Sequence, residues 1–209
     1  MENELKLKGD KNPKIKSKND DEVLKFYMGK NELDDPEEFE SFIKACELMI
    51  HKDPRYKNYV SHLKECGFNR CTMMSGITDD MARIDMHHGP LFTLYDICSI
   101  VVDHMLYEGE KVSTFDIANI VLREHEEHNV QVVMLTRTSH ELTGAGRIFV
   151  HYKQAFGNIM KFIKNFKKGI RREHLYTMEK YIDLCEQNDA TDNDLLKVVG
   201  KIEKFTKNK

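Results

Sequence analysis

Two adjacent histidines, His87 and His88, stand in the run IDMHHGP that spans residues 84–90. An imidazole can bind a divalent cation, and it can also take a proton from water near neutral pH. Successive side chains on a strand point to opposite faces. If this run is a strand, one ring can therefore face a cation while the other faces a water molecule. The pair is equally typical of a surface turn, so a chemical role requires partners elsewhere in the chain.

A third histidine, His140, lies downstream in the run VQVVMLTRTSHELTG, residues 130–144. The segment VQVVML is rich in β-branched residues and predicts a strand. The segment TRTSHELTGAG begins with polar residues and ends in glycines, which predicts a short helix. We therefore expect a strand, a second strand and a helix, with histidines at the end of the first strand and on the helix.

These two blocks resemble the HNH family of ββα-metal nucleases, and within it a phage-type variant with an MHHGP block and a later VQVVML block. The resemblance covers residues 83–90 and 130–146, on either side of a helical insert of about forty residues. It implies a phage-encoded nuclease or nickase that hydrolyses DNA phosphodiester bonds with one divalent cation. By the same resemblance, His88 is the general base, His87 and His140 are metal ligands, and Gln131 takes the place of an asparagine that ties down the loop holding the base.

The sequence departs from this family at Gly144, where the resemblance calls for a further histidine ligand four residues after the helix histidine. Three interpretations stay open. A replacement ligand could come from Asp85, Glu141 or His151, and Asp85 is the first choice because it lies two residues before His87, on the same strand face. Water could complete a weaker site. Alternatively the site has lost activity, and the fold serves a DNA-binding or protein-binding accessory factor. The cation itself, Mg, Mn, Zn or Ni, is also left open.

The cysteines do not form a recognisable framework. Some members of the HNH family, which the sequence resembles, use a cysteine pair for a structural zinc. In this sequence Thr136 and Ser139 stand at those places. The chain has five cysteines, an odd number without C-x-x-C spacing, which argues against a disulfide framework or a zinc ribbon. Reduced thiols predict a cytoplasmic protein, in the host cytoplasm if the chain is phage-encoded.

A basic segment, residues 153–172, contains no acidic residue and interleaves phenylalanines with cations. This pattern predicts an amphipathic helix whose cationic face could follow a DNA phosphate backbone. The alternative is an ordinary helix with a solvated lysine face. The candidate DNA-binding residues are Lys161, Lys164, Lys167, Lys168, Arg171 and Arg172.

Two further histidines, His125 and His128, lie three residues apart in the run REHEEHN. They could form a metal pair. The favoured interpretation is a solvated helix end, where cationic side chains complement the helix dipole.

The elements that must position these residues are mostly helical. We predict a disordered tail over residues 1–22 and one α+β domain over 23–209, with the ββα-metal motif within 80–151 and a helical part over 156–209. Helix starts are expected at Pro36 behind Asp35 and at Ser113, and strands are also expected near residues 69–77 and 147–152.

The bulk properties exclude some classes of protein. The 209 residues carry a net charge of −3, so no global cationic field demands nucleic acid. No apolar run approaches the roughly 20 residues that span a bilayer, and the lysine-rich start lacks the apolar region of a signal peptide. We therefore expect no membrane association, and DNA and a protein as candidate partners.

Overall fold

The structure is a computed structural model that describes residues 27–74, 76–145 and 147–187. Within these ranges the chain forms eight α-helices and one antiparallel two-stranded sheet, which confirms the predicted α+β class with mostly helical content. The elements in chain order are α1 (Lys30–Leu33), α2 (Pro36–Lys52), α3 (Pro54–Glu65), β1 (Ile84–His88), α4 (Leu94–Tyr107), α5 (Thr114–Glu126), β2 (Val132–Thr136), α6 (Arg137–Gly144), α7 (Ile159–Asn165) and α8 (Arg172–Glu186).

Short side chains define where the helices begin. Asp35 accepts hydrogen bonds from two first-turn amide groups of α2, with Pro36 at the first helical position, as predicted. Ser113 caps α5 in the same way. Thr136, the last residue of β2, accepts a hydrogen bond from the amide of Ser139 and so starts α6 directly at the strand end. Each such cap contributes about 1 kcal/mol.

The main core lies among the helices. Helix α2 packs against α5 and α4, and α3 packs against α5. On α5 the buried side chains recur at helical spacing, at Ile117, Val121 and His125, so one stripe of this helix faces the interior. This stripe carries a histidine into the same layer as the aliphatic core.

The two strands form the sheet that carries the histidines. Strand β1 pairs with β2 in a register that joins Ile84 to Thr136 and His88 to Val132. Helices α4 and α5 lie in the connection between the strands, and α6 packs against both strands. Because side chains alternate along β1, Asp85 and His87 share one face of the sheet while His88 lies on the other.

Two predicted strands are wrong. Residues 147–152 form no strand in the described part of this segment. On the side of β2 that faces away from β1, Val132 exchanges two backbone hydrogen bonds with Phe156. Residues 147–152 are therefore left without a strand partner. Near residues 69–77 the structure has only an isolated bridge between Arg70 and Thr78. A strand is stabilised by its neighbour, which a single segment of sequence does not specify.

The basic segment is also not one helix. It includes the end of a 3-10 turn at Tyr152–Gln154, then α7, a second 3-10 turn at Lys167–Gly169 and the start of α8. The second turn lies on the backbone of α4, where a Cβ added at Gly169 would come within 1.8 Å of the carbonyl oxygen of Ile100. Only glycine fits this close approach, so the chain bends where an amphipathic helix was expected.

Some predictions concern residues outside those that the structure describes. The predicted tail over 1–22 lies there, and so does the end of the helical part beyond residue 187. The division into a tail and one domain therefore stays a prediction. Across the described residues, no helix has both the length and the apolar content that crossing a bilayer requires.

Candidate functional site

Two histidines that are far apart in the sequence meet on one face of the sheet. The ring centroids of His87 on β1 and His140 on α6 are 4.4 Å apart, with an interplanar angle of 56°. His87 is half-buried and His140 is exposed. Burial, followed by the neighbouring His140 ring, lowers the pKa of His87 to about 4. His87 is therefore uncharged at neutral pH, which is the form that can bind a cation.

The residues considered as a third ligand are engaged elsewhere. Asp85 accepts from the Arg83 guanidinium at 2.8 Å, and Glu141 accepts from Arg137 at 3.0 Å. The buried ring of His151 accepts from the amide of Lys153 through Nδ1, and its Nε2 lies 3.2 Å from the carbonyl oxygen of Cys185.

The donor set on this face is thus a pair of imidazoles. No group of three metal-ligating side chains occurs in the described ranges. Gly144, where the family resemblance calls for a histidine, is the exposed last residue of α6, and a Cβ added there would meet nothing within 4 Å. Two imidazoles fit a weakly held divalent cation whose remaining positions are open to water or substrate oxygens.

His88 points the other way, into the helical layer. Its side chain is buried, with 6% of the residue exposed, and its Nε2 lies 2.8 Å from Nε2 of His125. The Nδ1 of His125 lies 2.7 Å from the carbonyl oxygen of Val121. Tyr56 stacks on the His88 ring at a centroid distance of 6.1 Å.

Both rings of this buried pair are held in the uncharged form. Burial lowers the pKa of His88 well below its ordinary range, and the nearby His125, His51 and His87 lower it further. Burial also lowers the pKa of His125 to about 4, against the opposing effect of its hydrogen bond to Val121. An uncharged imidazole keeps one bare nitrogen that can accept a proton, but the lowered pKa makes His88 a weaker base than an exposed histidine.

A cleft of about 340 Å³ opens beside the sheet. His87, His88 and the Gly89-Pro90 turn line one side, and Phe149 and Tyr181 line another. Among its described lining residues there is no lysine or arginine. A phosphate in this cleft would therefore need its positive charge from a bound cation or from the surrounding surface.

Gln131 is linked to the turn after His88 through its main chain. Its carbonyl oxygen accepts a hydrogen bond from the amide of Gly89 at 3.2 Å. Its side-chain amide donates to the carbonyl oxygen of Tyr152 at 3.3 Å, and its buried Oε1 has no hydrogen-bond partner within the described part of the chain. The anchoring role implied for the side chain of Gln131 stays a prediction.

Thr136 and Ser139 carry hydroxyl groups at the positions where some HNH nucleases have a structural cysteine pair. Thr136 Oγ1 donates to Ser139 Oγ at 3.0 Å, and Ser139 Oγ lies 3.5 Å from the sulfur of Cys71. All three residues are buried. This cluster connects the start of α6 to the chain before β1 by hydrogen bonds.

The candidate DNA-binding residues divide into two groups. Three are paired with acids: Lys161 with Glu127 at 3.4 Å, Lys168 with Glu108 at 2.5 Å, and Arg171 with Asp103 at 2.5 Å. The other three, Lys164, Lys167 and Arg172, are exposed and make no ion pair with a described residue. Half of the predicted cationic face is therefore neutralised locally.

The sequence interpretation of His125 is wrong, because this residue is fully buried instead of lying on a solvated helix end. Its partner in the motif, His128, has a positive φ of 56° beyond the end of α5. A signal was present in the sequence: His125 follows Ile117 and Val121 at intervals of four, on the apolar stripe of the helix.

A comparison with protein families finds one match that covers nearly the whole chain. Residues 1–208 match the model of a family described as Bacteriophage G278-like virion protein. Neither the curated proteins nor the solved structures include a match. The family match supports the phage origin that the sequence resemblance implies, whereas the resemblance to HNH nucleases stays a prediction that rests on the quoted blocks.

Proposed function

The chain belongs to the bacteriophage G278-like virion protein family, and on this premise we propose that it hydrolyses phosphodiester bonds in DNA with the help of one divalent cation. One observation carries the proposal. An antiparallel strand pair and the helix that follows it bring His87 and His140 to a ring distance of 4.4 Å, and His87 also lines a cleft beside the sheet.

Each residue has a distinct role in the proposed reaction. His87 and His140 would hold the cation, which would stabilise negative charge on the phosphoryl oxygens when bound. His88 accepts the proton of the attacking water as the new bond to phosphorus forms and the bond to the leaving oxygen breaks. The Gly89-Pro90 turn forms the wall next to His88.

DNA would approach along the unpaired cations of the basic segment. Lys164, Lys167 and Arg172 have no acidic partner among the described residues and could neutralise phosphates, whereas Lys161, Lys168 and Arg171 would first have to leave their acidic partners. Replacing the first three by alanine should weaken DNA binding, and lower its salt dependence, more than replacing the second three. Filter binding at several salt concentrations measures both effects. Equal losses from the two triple variants would contradict this division.

Cleavage of supercoiled plasmid in Mg²⁺, Mn²⁺ and Zn²⁺ tests the activity. The wild type should nick the plasmid in at least one metal and not in chelator. His88→Gln should remove this activity, because glutamine keeps a donor of similar size but is not a base. Thr138→Ala, on the exposed side of α6, is the matched control and should cleave like the wild type. The same background from the wild type and His88→Gln in every metal would rule out the nuclease.

A second candidate function is a nonenzymatic accessory factor of the virion, which binds DNA or another virion protein. It is favoured by the pair of imidazoles without a third ligand in the part of the chain that the structure describes. This candidate predicts DNA binding that survives His88→Gln and does not need a metal. Binding that requires the metal would count against it.

A further inference from the structure

We infer that His125 is a positioning residue that determines which ring nitrogen of His88 carries the proton. The insert between the two motif blocks contributes this residue through α5. The catalytic consequence of this inference rests on the proposed function, but the protonation pattern itself does not.

The carbonyl oxygen of Val121 fixes the protonation of the His125 ring. A carbonyl oxygen can only accept, so Nδ1 of His125, 2.7 Å away, must donate to it. An uncharged imidazole has one protonated and one bare nitrogen. The Nε2 of an uncharged His125 is therefore bare.

His125 in turn fixes the protonation of the neighbouring His88 ring. The two Nε2 atoms of His125 and His88 are 2.8 Å apart, and a hydrogen bond at this distance needs one donor and one acceptor. Since Nε2 of His125 accepts, Nε2 of His88 donates. The Nδ1 of His88 is then the bare nitrogen. If Nε2 of His125 were the donor instead, both nitrogens of His125 would carry protons and the ring would be charged. Because His125 has 0% exposure, burial strongly disfavours this charge.

The surrounding rings hold this arrangement in place. Tyr59 contacts the His125 ring edge-on at a centroid distance of 5.5 Å, and Tyr56 packs against both histidines. His88 lines the cleft while its Nε2 is occupied by His125. The nitrogen left to accept a proton from a water molecule is therefore Nδ1, and His125 keeps it bare.

Nitrogen-15 NMR of the histidine side chains tests the protonation pattern at one neutral pH, without metal or DNA. In the wild type, Nδ1 of His88 should have the chemical shift of an unprotonated imidazole nitrogen, and Nε2 that of a protonated one. His125 should show the opposite pattern. A protonated Nδ1 on His88 in the folded wild type would overturn the inference.

Variants separate positioning from packing. His125→Phe fills the space but removes the acceptor, so the His88 signals should move towards an average of the two tautomers. His125→Gln offers an amide oxygen to His88 and should restore the wild-type pattern. Tyr59→Phe alters the same packing without touching the His88–His125 bond, and should leave the pattern unchanged. Unchanged His88 signals in His125→Phe would also overturn the inference.

Plasmid cleavage by the same variants tests the catalytic consequence. His125→Phe should lower the cleavage rate about ten- to a hundredfold, as is common for groups that orient a reacting residue, and His125→Gln should recover most of it. A wild type that shows the predicted NMR pattern but no cleavage would refute the proposed function and leave the positioning of His88 established. Full activity in His125→Phe would refute the catalytic role of that positioning.

Discussion

The two faces of the β1–β2 sheet hold histidine pairs of similar composition in opposite surroundings. On one face, the half-buried ring of His87 contacts the exposed ring of His140, which lies on the short helix α6. On the other, His88 and His125 share a hydrogen bond inside the helical layer. Within the described structure, the two rings of the first pair are in contact but are not joined by a hydrogen bond. In the second pair, both Nε2 atoms and Nδ1 of His125 have hydrogen-bond partners in the protein, and Nδ1 of His88 has none among the described residues.

This difference suggests that the open pair serves ligand binding, whereas the buried pair stabilises the fold. His140 is exposed and adds little to the packing of the fold, so it can be exchanged with a small effect on stability. The buried pair is part of the core, and each ring satisfies a polar atom of the other. Changes at His140 should therefore alter ligand affinity, while changes at the buried face should alter the free energy of unfolding.

The largest expected effect is on stability, at the buried face. His88→Ala should lower the free energy of unfolding by about 2–5 kcal/mol, because it leaves a cavity and an unpaired nitrogen on His125. His140→Ala should lower it by less than about 0.5 kcal/mol, because the side chain is exposed. Urea denaturation followed by circular dichroism measures both. Similar losses for the two variants would remove the distinction between the faces.

The next effect is a dependence of stability on pH. The pKa of His125 is about 4 in the folded protein, below its ordinary value of 6.5. Between these values the unfolded chain binds more protons, so the stabilising effect is complete above about pH 6.5 and is lost as the pH falls towards 4. His125 alone should contribute on the order of 3 kcal/mol. Between pH 4 and 6.5, the denaturation midpoint should change less with pH in His125→Gln than in the wild type. An equal change with pH in the two proteins would contradict the assignment of this effect to His125.

A smaller effect is expected for cation affinity at the open face. His140→Ala should weaken Mn²⁺ binding on the order of a hundredfold, since even groups that only orient a ligand contribute ten- to a hundredfold. Isothermal titration calorimetry gives the affinity, with Thr138→Ala on the same helix as the control. Undiminished binding in His140→Ala would show that this pair is not the cation site.

The smallest expected effect comes from adding a third imidazole to the open face. Gly144→His places a second imidazole one turn after His140, where an added side chain meets no neighbouring atom within 4 Å. We expect about tenfold tighter Zn²⁺ binding and a corresponding rise of the melting temperature with added metal. Gly144→Ala gives the same gain in backbone order without a ligand. Equal affinities in the two variants would mean that position 144 does not face the cation.

Local patterns in the sequence were sufficient for the face with the open pair. The alternation around His87, the β-branched run of β2, and the polar start and glycine end of the segment after it are short-range features. They predict the strand, strand and helix that the structure contains. Short-range signals also predicted the starts of α2 and α5. The chemical roles of these histidines rest on resemblance and stay predictions.

Tertiary contacts explain what could not be predicted. The apolar stripe of α5 indicated that His125 is buried, but the residues that cover it, Tyr59 on α3 and His88 on β1, come from other segments of the chain. The break in the basic segment depends on Gly169 meeting the backbone of α4, about seventy residues earlier. No pattern within a single segment contains such a long-range contact.

The alternation of side chains along β1 has an evolutionary consequence. The tasks of His87 and His88 are set by odd and even position in the strand and not by any difference between two chemically identical side chains. A single inserted or deleted residue within β1 would shift the register and exchange the two environments. Length changes in this strand should therefore be selected against more strongly than most point substitutions, and related chains should differ in β1 by replacement and seldom by gaps.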